Sequence, residues 1–147
     1  MKNSVVCLLI AVMSLFSLPA VADEGTQNLT ICLTDSLNGK ERKLLAKWIF
    51  AAIAAHPEII DLSAVSAEAR DLIDEDVGNL ITRLLSVDCD AELVAAMSRN
   101  PLALQDSFKV VGEVAMMELL NERSVADALT GYVKYVDMQA IESITKK

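Results

Sequence analysis

The pattern of apolar and polar positions predicts a helix over residues 39–57, which hold the longest uncharged apolar run outside the first 22 residues. Charged side chains occupy its first turns, and the segment is then apolar from Trp48 to Ala55. A segment that is apolar on every side is typical of a helix that other helices surround. Pro57 ends this helix, because a proline pushes the preceding residue out of helical geometry. We therefore expect four of its side chains in the core: Trp48, Ile49, Phe50 and Ile53.

Two longer stretches further along the chain also show helical periodicity. Residues 67–87 follow Ser66, and residues 101–121 follow Asn100. Serine and asparagine are preferred N-cap residues, so both positions favour the start of a helix. The second of these helices adds three side chains to the expected core: Phe108, Val111 and Met116.

The remaining segments complete a helical chain. A short helix is expected over residues 91–98, and a last helical segment over residues 125–145 with a break near its glycine. Residues 29–33 fit either a short extended piece or the first turn of a helix, and the polar residues 23–28 are expected to form a flexible N-terminal arm. The pattern predicts an all-α fold, a single-domain bundle of five or six helices.

Residues 1–22 have the three parts of a secretory signal peptide. Lys2 gives a positive start, residues 5–18 carry no charge, and Ala20-Val21-Ala22 forms a small-x-small cleavage site. A membrane anchor would need a longer apolar run. We expect cleavage after Ala22, a periplasmic or secreted mature protein of residues 23–147, and no membrane span in it.

The charge of the chain argues against nucleic-acid binding. The sequence carries 13 Lys and Arg against 21 Asp and Glu, a formal net charge of −8. Nucleic-acid-binding domains normally present a clustered basic face. The only basic cluster here, residues 40–43, is one turn long and includes Glu41.

Two cysteines remain after removal of the leader, Cys32 and Cys89. In an exported protein such a pair predicts one disulfide. The bridge would close a loop of roughly 58 residues, worth about 4 kcal/mol on the chain-entropy model. A redox-active pair would need a spacing such as Cys-x-x-Cys, and a metal site would need more thiols or a neighbouring histidine; neither pattern is present.

The candidates for catalysis are few. His56 is the only histidine, so a Ser-His-Asp or Cys-His mechanism would have to use it, and no Gly-x-Ser-x-Gly turn or free thiol accompanies it. Its position before Pro57 predicts that it caps the C-terminus of the helix by satisfying the last carbonyl groups. We predict no catalytic, cofactor-binding or metal-binding residue.

Four carboxylates lie close together over residues 71–76, and Asp71 and Glu75 share a helix face. Such a pair is able to bind calcium loosely or to act as acid and base across a cleft. The helix dipole alone also favours acidic residues in the first half of a helix. We interpret these carboxylates as a solvated face, and binding of a cation there is left open.

Several strings of the mature chain resemble a group of uncharacterised small exported proteobacterial proteins with no known activity. They are Cys32, Gly39-Lys-Glu-Arg-Lys, Leu45-Ala-Lys-Trp-Ile-Phe, His56-Pro57, and Arg83-Leu84-Leu85 followed by Cys89. The resemblance implies an exported, helical, disulfide-bonded protein and brings no cofactor or site residues. In architecture alone, the chain is also similar to the acid-stress chaperones of enteric bacteria.

These observations lead to a functional expectation without an enzyme. We expect a non-enzymatic exported helical protein that needs no cofactor and binds another exported protein or an apolar ligand. One alternative is an acid-stress periplasmic chaperone that holds unfolded clients. The other is a hydrolase that uses the carboxylates of residues 71–76.

Overall fold

The computed structural model describes residues 23–146, so the expected signal peptide lies outside the described residues. Within this range the chain is all-α and forms no strand, which confirms the predicted fold class. There are seven α-helices in this range, one more than the upper end of the prediction. They are α1 (Glu24–Asp35), α2 (Gly39–Ile53), α3 (Ala67–Arg83), α4 (Asp90–Met97), α5 (Ala103–Leu120), α6 (Arg123–Thr130) and α7 (Met138–Thr145).

Short helical turns join these elements. Ile60–Leu62 and Gly131–Tyr135 are 3₁₀ turns, and the π-helical turn Leu84–Asp88 continues α3. The break expected near Gly131 is therefore present, because α6 ends at Thr130 and a 3₁₀ turn follows. No helix of residues 23–146 is long and apolar enough to cross a bilayer.

Local side-chain caps explain where α2 and α3 begin. The Asn38 side chain accepts hydrogen bonds from the backbone of Lys40 and Glu41, and the Glu41 carboxylate accepts the backbone N–H of Asn38 at 2.9 Å. This reciprocal capping box satisfies donors that the first turn leaves unpaired. Ser66 Oγ accepts from the backbone N–H of Ala69 at 3.1 Å, as the sequence predicts.

The core forms where α1 packs against α4 and α5, and where α2 packs against α3 and α5. Of the side chains expected there, Val111 is fully buried, Ile49 and Phe108 are partly buried against the core, and Met116 is half-buried. Most core positions hold leucine or alanine. The buried core residues are Leu29, Leu33, Leu37, Leu45, Ala46, Val77, Leu80, Leu84, Cys89, Ala96, Ala103, Val111 and Ala115.

The start of the described chain differs from the expectation. Residues 24–28 are not a flexible arm, because α1 begins at Glu24 and buries Gly25 and Thr26. Gly25 allows this packing, since a Cβ at that position would lie 3.1 Å from the Cα of Ala96 in α4. Close contact between α1 and α4 therefore outweighs the weak helix propensity of this glycine-containing stretch.

The predicted disulfide joins Cys32 in α1 to Cys89, with the two Cα atoms 5.9 Å apart. Cys89 is fully buried at the corner between the π-helical turn and α4. The bridge therefore fixes α1, near the start of the described chain, to the middle of the sequence.

Candidate binding surfaces

The second helix leaves three of its large apolar side chains in solvent, contrary to the expectation that they lie in the core. Trp48 is 38% exposed, Phe50 is 53% exposed and Ile53 is 49% exposed. Of the described elements, only α3 and α5 pack along α2, so one side of the apolar run has no neighbour. The buried positions of α2 hold Leu45 and two smaller side chains, Ala46 and Ala51.

Trp48 lies at the edge between α2 and α3. Its indole Nε1–H donates to the Asp74 carboxylate at 2.9 Å. Its ring also lines an apolar cavity of about 70 Å³ between α2, α3 and α5, together with Phe108 and Gly112. No heavy atom lies within 4 Å of where a Gly112 Cβ would be, so this glycine borders open space rather than a close helix contact.

The end of α2 and the connector behind it form a second apolar surface. Ile53 and Ile59 line a wide depression of about 540 Å³ that opens to solvent, and Phe50 and Ile60 are both about half exposed. We call Phe50, Ile53, Ile59 and Ile60 the α2-end patch. Its side chains are apolar and accessible, which suits the insertion of side chains from another protein.

His56 also lines this depression and does not cap α2 as predicted. The helix ends at Ile53, and Ala54 is its C-cap. The imidazole instead accepts a hydrogen bond at Nδ1 from the backbone N–H of Glu58, at 3.2 Å. It thus stabilises the turn around Pro57, whose ring cannot donate to the helix.

The C-terminal segment, residues 123–146, exposes many apolar side chains, and we call it the C-terminal arm. Apart from contacts among its own elements, its main helical contact is that of α6 with α5. Neither α6 nor α7 buries a residue. Seven of its large apolar side chains are close to half exposed or more: Leu129, Tyr132, Val133, Tyr135, Met138, Ile141 and Ile144.

The acidic residues of α3 face solvent. Asp71, Asp74, Glu75 and Asp76 are all exposed. Asp74 binds the Trp48 indole, and Asp76 lines an open depression that also includes Arg83. Among residues 23–146, no cluster of three or more His, Cys, Asp or Glu side chains is arranged to hold a metal ion.

A buried polar cluster that was not predicted from the sequence joins the start of α1 to α5. Thr26 and Ser107 are fully buried. Thr26 Oγ1 donates to the Asp23 carboxylate at 2.5 Å and accepts from Asn100 Nδ2 at 3.2 Å, while Ser107 Oγ donates to the Thr26 carbonyl at 3.3 Å. The pKa of the Asp23 carboxyl is lowered, chiefly because this carboxyl accepts the hydrogen bond from the Thr26 hydroxyl. Since these buried polar groups are paired with one another, the cluster is a structural feature.

Ion pairs link α2 to both of its neighbours. Arg42 Nε lies 3.1 Å from the Glu118 carboxylate in α5, and Arg83 Nη2 in α3 lies 2.8 Å from the Glu41 carboxylate. Arg83 also pairs with Asp88. These side chains are partly exposed, so each pair contributes little on its own, about 0–1 kcal/mol.

Comparisons with protein-family models, with curated proteins and with solved structures find no match to this chain. Sequence reasoning found the apolar residues of α2 but assigned them to the core. The C-terminal arm was not predicted to be a surface. The signal for it is that the apolar positions 125, 129, 132 and 136 recur at helical spacing, which gives the segment one apolar side.

Proposed function

We propose that this protein is an exported protein-binding module that uses the C-terminal arm and the α2-end patch. The observation that carries the proposal is the C-terminal arm, in which seven large apolar side chains are exposed and no residue of its α-helices is buried. Soluble monomers rarely leave a large contiguous apolar surface uncovered, and such surfaces often bind other proteins. The aromatic side chains Tyr132 and Tyr135 in the arm are typical of interface residues.

A protein partner fits these surfaces better than a small apolar ligand. The cavity beside Trp48 holds about 70 Å³, whereas sites for small molecules usually measure about 300–1,000 Å³ and enclose most of the ligand. The larger depression at Ile53 is open to solvent. An open apolar depression is suited to contact with another polypeptide.

Export to the periplasm or beyond is part of the proposal, and two observations support it. Residues 1–22 have the pattern of a cleavable leader. The disulfide between Cys32 and Cys89 is a bond that persists in oxidising compartments and is rare in the cytosol.

The test uses the protein purified from the periplasm and an unfolded exported protein, reduced α-lactalbumin, as the probe. We expect the protein to slow aggregation of the probe in proportion to its concentration. Ile141→Ser in the arm and Phe50→Ser in the patch should each weaken this effect. Leu72→Ser is the matched control, because Leu72 is 65% exposed on α3, outside both surfaces.

Equal aggregation of the probe with and without the protein would contradict the proposed function. Equal protection by Ile141→Ser, Phe50→Ser and the unchanged protein would contradict the assignment of these surfaces. Circular dichroism of each variant checks that the helices remain folded.

A second candidate is an acid-activated holdase, and the ion pairs of α2 favour it. Glu41 on α2 pairs with Arg83 on α3, and Glu118 on α5 pairs with Arg42 on α2, so neutralising carboxylates in strong acid would remove links between these helices. Protection of the probe should then be stronger below about pH 3 than at neutral pH, since carboxyl groups in general are mostly protonated in such acid. Protection that is equal or weaker in acid would refute this candidate and leave the protein-binding proposal intact.

A further inference from the structure

We propose that the C-terminal arm of one chain covers the α2-end patch of a second copy, which forms a two-fold symmetric dimer. This inference rests on the proposed function, since it names the partner that the two surfaces take when no other protein is bound. Each chain carries both halves of the contact. In a two-fold dimer the same arm-to-patch contact therefore forms twice.

The helical body, residues 23–122, and the C-terminal segment, residues 123–147, have net charges of opposite sign. Residues 23–122 contain 8 basic and 18 acidic residues, a formal net charge of −10. Residues 123–147 contain 4 basic and 3 acidic residues, a formal net charge of +1. The arm therefore approaches the acidic helical body without net repulsion.

The same charges argue against a membrane as the occupant. Anionic lipid surfaces attract segments rich in lysine and arginine, about 4–8 of them in a cluster. The arm has three basic residues, Arg123, Lys134 and Lys146, which are interspersed with three acidic residues, and the body beside it is strongly acidic. An anionic bilayer would repel the body, whereas a second copy brings the acidic body and the arm together.

The placement of the two surfaces favours a second chain over folding back. Arg42 near the start of α2 pairs with Glu118 near the end of α5, so these helices run antiparallel and the arm leaves the bundle at the start of α2. The α2-end patch lies at the opposite end, about 16 Å away along the helix axis. When two chains lie antiparallel, the arm of each one begins beside the patch of the other.

The apolar surface is large enough for a stable contact. The seven exposed side chains of the arm and the three exposed ones of the patch, Phe50, Ile53 and Ile60, present on the order of 1,000 Å² per chain, with about 100 Å² for each side chain. Stable protein interfaces bury about 800 Å² on each partner. Coverage of the arm and patch would therefore match a standard interface.

The test is the molar mass of the protein purified from the periplasm, measured by light scattering over about a hundredfold dilution series. We expect the mass of two chains at the highest concentration. Ile141→Ser should raise the dissociation constant about 100-fold, because the substituted side chain occurs twice in the interface and each loss costs about tenfold. Leu72→Ser, outside the contact, should leave the constant unchanged.

A mixing experiment identifies the contact itself. One chain carries Phe50→Cys and the other Ile141→Cys, and oxidation should yield a covalent heterodimer. The mass of a single chain at every concentration would overturn the proposal, and so would a dimer that Phe50→Ser and Ile141→Ser both leave unchanged. A dimer that fails to protect reduced α-lactalbumin would refute the proposed function alone, whereas a monomer that protects it would refute this inference alone.

Discussion

Three helical glycines have different surroundings, and replacing each with alanine tests how closely the helices pack. For Gly78 in α3 and Gly112 in α5, no heavy atom lies within 4 Å of the position that an added Cβ would take. At Gly25 in α1, the Cβ would lie 3.0 Å from the Asp23 carboxylate and 3.1 Å from the Cα of Ala96. The added methyl group therefore fits at the first two positions and collides with backbone at the third.

The expected changes in the free energy of unfolding have opposite signs. Alanine stabilises a helix interior by about 0.5–1 kcal/mol relative to glycine, so Gly78→Ala and Gly112→Ala should each raise the free energy of unfolding by that amount. The Gly112 methyl group also enters the side of the cavity beside Trp48. Gly25→Ala forces α1 away from α4, and overpacking of this kind costs about 1–3 kcal/mol.

Urea unfolding followed by circular dichroism measures all three variants against the unchanged protein. Gly78→Ala is the control for helix propensity alone, because Gly78 is exposed. Each kcal/mol should move the thermal midpoint by roughly 3–6 °C in a chain of this size. Equal or greater stability of Gly25→Ala would refute the close approach of α1 to α4, and lower stability of Gly112→Ala would refute the open space beside α5.

Three further predictions concern the ends and the crosslink of the chain. Reduction of the disulfide, or the double change Cys32→Ser and Cys89→Ser, should lower the free energy of unfolding by about 4 kcal/mol in urea titrations, and an unchanged midpoint would contradict this. The pKa of Asp23 is lowered in the folded state, so its charge stabilises the fold above the unfolded pKa and this contribution is lost as the pH falls through the folded pKa. Asp23→Asn, which keeps a capping side chain, should therefore be less stable than the unchanged protein at neutral pH and equal to it in strong acid. Mass spectrometry of the exported protein should show a chain that begins at Asp23, and retention of residues 1–22 would contradict cleavage after Ala22.

Local signals in the sequence were enough to place most helices. Asn38 and Ser66 act through hydrogen bonds to residues two or three positions away, so their effect is contained in the local sequence. The disulfide was predictable because only Cys32 and Cys89 remain after the expected cleavage. These features need no knowledge of the tertiary structure.

The start of α1 and the use of α2 were not predictable in this way. Residues 24–28 look like a loose polar stretch, and their helix depends on Asn100 and Ser107, which are more than 70 positions away in sequence. The apolar run of α2 indicates burial but does not say whether the covering surface belongs to the same chain. Only the tertiary structure reveals that one side of Phe50 and Ile53 has no neighbour.

The choice of core residues explains why aromatic side chains are left for binding. The buried positions of α1, α4 and α5 include Gly25, Ala96, Ala103 and Ala115. Small side chains bring helix axes close together, and leucines fill the remaining space without aromatic rings. Of the five aromatic residues in the described chain, only Phe108 packs against the core. The four that are exposed are Trp48, Phe50, Tyr132 and Tyr135. Three of the four, Phe50, Tyr132 and Tyr135, lie in the α2-end patch and the C-terminal arm, so the surfaces that we assign to binding hold side chains with much apolar area to bury.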